Sequence, residues 1–209
     1  YREINKNSDI IKDSKIIFIL TKDGEIINFY IKNRDMLGGK KLYHFSGFFY
    51  HKEMTSLHPI ISFSKKPLSK KAFEEIIFTS ENPEKIRNHL PWFKNRIIKI
   101  NPDDKPYYHS LLNIFFNFPP LLFNSVVVEL ESKFKIPEEY IDKRIKDVMK
   151  RYIADPEFFG GPFERGDRNT VAAHLKALKG KRLFYIYEGF LKYYQRNKAI
   201  GLKDVKSKR

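Results

Sequence analysis

Three histidines in this chain stand where an imidazole could exchange protons or hold a ligand. His44 begins His44-Phe45-Ser46-Gly47 and His58 lies in Ser56-Leu57-His58-Pro59, both at the carboxyl ends of apolar runs. His109 closes Tyr107-Tyr108-His109, at the start of a long apolar stretch. Imidazole has an ordinary pKa of about 6.5, so it gives or takes a proton readily near neutrality. A hydrogen-bonded structural role is the alternative for each ring. Their shared placement, at strand ends and a helix start facing one crevice, is what favours a site. His51 and His89 lack that setting and read as surface residues. A fourth dense feature runs from Gly161 to Leu175, where two glycines, a proline, Arg165, Asp167 and His174 precede or open a helix. Asp167 or Thr170 is suited to cap that helix, with Val171, Leu175 and Leu178 as its apolar spacing.

Other chemistries find less support. The sequence has no cysteine, which removes disulfides, thiolate metal sites and cysteine nucleophiles. A site of His44, His58 and His109 on a metal is conceivable, but no H-x-x-x-H or H-E-x-x-H spacing occurs, and no metal is expected. Ser46 has no G-x-S-x-G elbow around it. Neither a P-loop nor a G-x-G-x-x-G fingerprint is present, and Gly38-Gly39 reads as a turn.

The elements that must position these residues change character along the chain. Lys15 to Leu20 is a continuous apolar run, read as a strand buried on both faces of a parallel sheet. Thr21-Lys22-Asp23-Gly24 ends it, and Glu25 to Ile31 suits a short helix. Lys40 to Phe45 is the next strand. Glu75 to Thr79 and Arg96 to Ile100 read as strands around a helix from Pro83 to Trp92. The turn-rich segment Asn101 to Pro106 marks a boundary, giving an α/β domain over 1–104 and a helical domain over 105–209. Beyond it, one helix is expected from Tyr107 to Lys133, bent or broken at Pro119-Pro120. Others are expected from Pro137 to Ile153, after Asp167, and from Arg182 to Lys198. At 3.6 residues per turn His109, Asn113, Asn117 and Asn124 share a narrow wedge, so the first of these helices should be buried with one polar face on a cleft or a polar interface. That stripe and the prolines argue against a membrane span over Leu111 to Val128.

Composition sets the outer frame. The chain has 209 residues, 42% of them hydrophobic, enough for one large or two small cores. The net charge of +15 is carried mainly by dispersed Lys, with no clustered Arg and interleaved aromatics, so a nucleic-acid partner is not expected. No secretory signal is visible and the cytoplasm is the default compartment.

Taken in order, several short motifs resemble a known family. They are Ile19 to Asp23, His44 to Gly47, Leu57 to Phe63, Tyr108-His109 with Asn117-Phe118, and Gly161-Pro162 with Arg165-Gly166-Asp167, Thr170 and His174-Leu175. The set resembles the Rossmann-like proteins whose C-terminal half is the domain of unknown function 2520. These are distant relatives of the 6-phosphogluconate, ketopantoate and pyrroline-carboxylate reductase group. The resemblance implies a partial Rossmann-like parallel sheet followed by a helical domain, an α/β plus all-α fold. It also implies a glycine-rich βα region ahead of Tyr1, roughly 60 residues if each βα unit takes about 30.

By that resemblance Thr21, Lys22, Asp23, Ser46 and Gly47 would line the nicotinamide side of bound NADP or NAD. His109, Asn117 and His58 would be catalytic, with His109 handling the substrate proton and Asn117 orienting the substrate. Arg165, Asp167, Asn113 and His174 would bind substrate, Arg165 holding a carboxylate with Asp167 behind it; an ion pair or helix cap is the alternative for that pair. The helical domain would form a homodimer through aromatics of the last helix, among them Tyr185, Phe190 and Tyr193. The function expected is thus an NAD(P)-dependent oxidoreductase acting on a small molecule in a crevice between sheet and helices. The alternative is a dimeric ligand-binding or scaffold protein that keeps the fold without the cofactor site.

Overall fold

The computed structural model describes residues 8–63, 66–155 and 160–200. It divides into two compact units, Tyr1–Leu121 and Leu122–Arg209.

The first unit is built on two small sheets. Helix α1 (Ser8–Asp13) precedes strand β1 (Ile16–Ile19). Helices α2 (Asp23–Lys32) and α3 (Arg34–Leu37) lead to β2 (Lys41–His44), which pairs parallel to β1 with Ile17 opposite Leu42. The short β3 (Thr55–Ser56) adds parallel to β2, with Ser56 opposite His44. One residue later the chain enters a second sheet, where β4 (His58–Pro59) lies antiparallel to β5 (Phe78–Ser80). Helix α4 (Lys70–Glu74) precedes β5, and α5 (Pro83–His89) joins it to the parallel β6 (Ile97–Lys99).

Strand β2 separates two cores because successive side chains alternate across a strand. Leu42 joins Ile17, Ile19, Ile26, Leu37 and Met54 on one side. Tyr43 joins Leu57, Phe78, Ile86, Leu90 and Phe93 on the other. The expectation that the first strand is buried on both faces is corrected: Ile17 and Ile19 are buried, whereas Phe18 is 36% exposed. Phe18 covers part of itself by stacking on Tyr43, with centroids 5.5 Å apart. As the end strand of the sheet among the described residues, β1 has less material to cover that face.

A single 3-10 turn, Pro102–Asp104, opens helix α6 (Lys105–Phe116), which still belongs to the first unit. Helix α7 (Phe118–Phe134) follows after Asn117 alone. The break therefore falls two residues ahead of Pro119. The prolines sit in the first turn of α7, where their missing N–H groups have no intrahelical partner to lose. Placed inside one continuous helix, they would clash with carbonyls four residues earlier. Asn124 consequently lies on a different helix from His109 and Asn113, with Asn117 at the junction. The run Pro102–Phe134 is long and apolar enough to cross a membrane, and its most apolar window is unburied, so the expected buried helix is corrected as well.

The second unit holds most of α7 together with α8 (Glu138–Ala154), α9 (Arg168–Leu178) and α10 (Leu183–Ile200). Between α8 and α9, Gly161 and Gly166 take left-handed backbone conformations. Phe163 from this loop packs edge-on against Tyr187 of α10 at 5.2 Å. Parallel strands and a mixed sheet followed by a mainly helical region make up the expected fold class.

Candidate functional site

The site is assembled at the carboxyl ends of β1, β2, β3 and β5. Strand β2 ends at His44, and the chain turns at Ser46-Gly47. The Ser46 hydroxyl fixes that turn by donating to the Asp23 carboxylate at 2.6 Å and accepting the Phe49 N–H at 2.9 Å. Thus the β1–α2 turn and the turn after β2, both expected on the cofactor side, are tied together. Thr21 and Lys22 precede Asp23 and are exposed.

Gly47 is buried, and its missing side chain is a packing requirement. A Cβ there would stand 2.7 Å from His109 Cδ2 and 2.8 Å from His58 Nε2. Both rings therefore rest directly on the glycine. They meet edge to face, with centroids 5.6 Å apart. His58, His109, Asn113 and Asn117 line a cavity of about 240 Å³, together with Ile61 and Ser62. The Asn117 amide donates to the Asn113 carbonyl oxygen at 2.5 Å, so the two side chains act as a pair.

Beside the Ser46-Gly47 turn lies a buried charged group that the sequence does not announce. Lys105, the first residue of α6, is 1% exposed. Its ammonium donates to the Ser56 hydroxyl at 2.8 Å, and the Ser46 carbonyl lies 3.5 Å away. The Ser56 hydroxyl in turn donates a hydrogen bond to the Glu81 carboxylate, which also accepts the Ser56 N–H at 2.9 Å. Ser56 has one hydroxyl proton, and a carboxylate can only accept, so the directions are settled. Burial pulls the Lys105 pKa down, while Glu81 and Asp23 pull it up. A lysine followed by Pro106 at a helix start carries no sequence signal that it will be buried.

The imidazoles are electrostatically distinct groups. His44 is fully buried, and its Nδ1 accepts the Ser46 N–H at 3.3 Å. Its proton must then sit on Nε2, which has no hydrogen-bond partner among the described residues. Burial, with Lys105, His51 and His58 nearby, pushes its pKa down to about 3. The His58 pKa falls to about 4, first through burial, then through His109 and Lys105, against an opposing pull from Asp23. Among the described residues no three His, Cys, Asp or Glu side chains are placed to hold a metal.

The remaining expected site residues belong to the second unit. Asp167 caps α9 by accepting the Thr170 N–H at 3.0 Å and the Thr170 hydroxyl at 2.6 Å. Those bonds, with a smaller contribution from Arg165, hold its pKa below the usual carboxylate range. Arg165 is exposed in the preceding loop. His174 shares a 2.8 Å hydrogen bond with Tyr187 on α10. Asp167, Arg165 and His174 are thus described within the loop-to-helix junction and its packing on α10.

Together, the strand-end turns, the parallel sheet and the helix carrying His109 define an α/β protein with a parallel sheet, continued by helices. The chain belongs to the DUF2520 family, a domain of unknown function matched over residues 82–194. It is similar in fold to a Bacteroides fragilis protein described as "putative NADP oxidoreductase BF3122". That pair has TM-score 0.66 and 18% identity, over 89% of this chain and 78% of the other. A second likeness is to protein TM1727 of Thermotoga maritima, with TM-score 0.63 and 23% identity over 88% and 78% of the two chains. Pyrroline carboxylate reductase of Plasmodium falciparum, with NADP bound, aligns at TM-score 0.48 and 14% identity over 93% and 80% of the two chains. No curated protein matches the sequence.

Two outcomes follow from this geometry. Folding favours the neutral form of His44 and His58, since both folded pKa values lie below the ordinary value of about 6.5. Their stabilisation is complete above that pH and is lost as the pH falls towards 4 and then 3, at up to about 1.4 kcal/mol per pH unit for each ring. Urea denaturation at neutral pH and at about pH 4.5 should show a clear loss of stability; equal midpoints would contradict it. Separately, Gly47→Ala should cost about 1–3 kcal/mol by overpacking and shift the ring resonances of His58 and His109. Wild-type stability with unmoved resonances would remove the contact.

Proposed function

We propose that the crevice beside His58 and His109 takes the nicotinamide end of NADP or NAD together with a small substrate, making this protein an NAD(P)-dependent oxidoreductase. One observation carries the reading: Gly47, at the end of a parallel strand, lies against both imidazoles at the edge of a cavity floored by Asn113 and Asn117. Ligands of open α/β sheets bind outside the carboxyl ends of the strands. The fold likeness to a protein described as an NADP oxidoreductase supports the same reading.

The residues present suit one end of a dinucleotide and not the other. Asp23 and Glu25 stand in the first turn of α2, where they would repel a pyrophosphate. The Ser46-Gly47 turn and the His58 ring offer neutral polar groups, which suit a carboxamide and an uncharged ring. The phosphates would therefore be held elsewhere than at α2. When bound, the nicotinamide supplies hydride transfer.

The rest of the chemistry falls to this chain. His109 holds or moves the proton on the substrate oxygen or nitrogen. Asn117, paired with Asn113, orients the substrate by hydrogen bonds, and His58 forms the opposite wall. Within the second unit, Arg165, exposed in the loop ahead of the Asp167 cap, is assigned to an anionic group of the carboxylate class. The compartment assigned is the cytoplasm.

The apolar surface of the helices is assigned to a second copy of the chain, as a homodimer. No residue of α7 is buried, and Tyr185, Phe190 and Tyr193 of α10 are exposed. Light scattering on the purified protein should give twice the chain mass; a monomer at all concentrations would reject the dimer.

The enzyme reading is tested by NADPH fluorescence titration of this chain and of a version carrying a glycine-rich βα unit ahead of Tyr1. Tight binding is expected with the added unit, and His109→Ala in that background should abolish turnover. Absence of binding in both versions would favour the scaffold alternative, and unchanged turnover would remove His109 from the mechanism.

A further inference from the structure

His58 and Thr79 are direct partners across the antiparallel pair of β4 and β5, so their side chains project from the same face of the sheet. The Tyr108 hydroxyl, reaching in from α6, lies between them. It is 3.0 Å from His58 Nδ1 and accepts a hydrogen bond from the Thr79 hydroxyl at 3.1 Å. The Tyr108 and His58 rings are perpendicular, with centroids 5.7 Å apart.

The proton order along this row follows from chemistry. A phenol is a stronger donor than an aliphatic hydroxyl, and an unprotonated imidazole nitrogen is the strongest acceptor of the three groups. Thr79 donates to Tyr108, and Tyr108 donates its single proton to Nδ1 of His58. The imidazole must then carry its proton on Nε2, the nitrogen that faces Gly47 and His109.

We infer that Tyr108 is a positioning residue: with Thr79 it locks His58 as the Nε2–H tautomer, so that His58 is a fixed hydrogen-bond donor and not a proton acceptor. The two imidazoles of the crevice then have different tasks. His58 offers an N–H to an acceptor oxygen of the carbonyl or carboxamide class, and proton transfer is left to His109. Two further features agree. Burial raises the Tyr108 pKa, which keeps the phenol protonated and able to donate. The lowered pKa of His58 keeps its ring neutral near physiological pH. The assignment of a ligand to His58 rests on the oxidoreductase reading, whereas the tautomer itself does not.

The test is long-range proton–nitrogen NMR on the ligand-free chain with labelled histidine, His58 being assigned through His58→Gln. Wild type should show an unprotonated Nδ1 and a protonated Nε2, without titration down to about pH 5. Tyr108→Phe keeps the ring packing and removes the donor. The ratio of the Nε2–H to the Nδ1–H form should then fall about five-fold or more, the equilibrium value of one ordinary hydrogen bond. Thr79→Ser should keep the wild-type pattern, and Thr79→Val should loosen it. A protonated Nδ1 in wild type, or an unchanged ratio in Tyr108→Phe, would overturn the lock. Because no cofactor is present, these results are independent of whether NADPH binds. A locked His58 in a protein that never binds NADPH would reject the oxidoreductase reading and leave the lock standing.

Discussion

The crevice depends on the burial of Lys105. A lone ammonium in a protein interior is costly, and it is tolerated here because Ser56 relays it to the Glu81 carboxylate. That row of contacts joins three places far apart in sequence: the start of α6, the end of β3 and the residue after β5. Since α6 carries Tyr108, His109 and Asn113, anchoring its first residue sets where all three fall. The Ser46 carbonyl beside the same ammonium brings in the turn after β2. Position and register of the crevice walls thus trace to one buried cation and its partners.

The same cation helps explain why the nearby imidazoles are neutral. The positive charge of Lys105 opposes protonation of His44 and His58, adding to the effect of burial. The neutral His58 ring and the paired asparagines give the crevice polar, uncharged groups beside His109. That character suits an uncharged ring with a carboxamide better than a phosphate. It also gives Gly47 its importance, because the backbone must approach the rings closely for the walls to meet.

Much of this was legible in the sequence, and the exceptions have physical causes. The strands around Ile17 and Leu42 follow from short apolar runs ended by polar turns, and the α9 cap follows from Asp167 ahead of an apolar-periodic stretch. His58, His109, Asn113 and Asn117 were singled out by strand ends and helical spacing, and the structure places all four on one cavity. Lys105, Ser56, Glu81 and Thr79 were not legible, because their roles arise only when separate elements meet. Phe18 was misread since an apolar run does not reveal whether a further layer covers its outer face. The helix break at Asn117 was placed too late because prolines favour the first turn of the following helix over the point of interruption.

The central claim is that the nicotinamide end of the cofactor meets the Gly47, His58 and His109 junction. The most direct measurement is an NMR titration of the labelled histidines with reduced nicotinamide mononucleotide, which carries the ring without the rest of the dinucleotide. The account predicts saturable shifts at His58 and His109, with His89 unmoved. Saturable shifts that spare both crevice histidines, or no shift up to the solubility limit of the ligand, would contradict it.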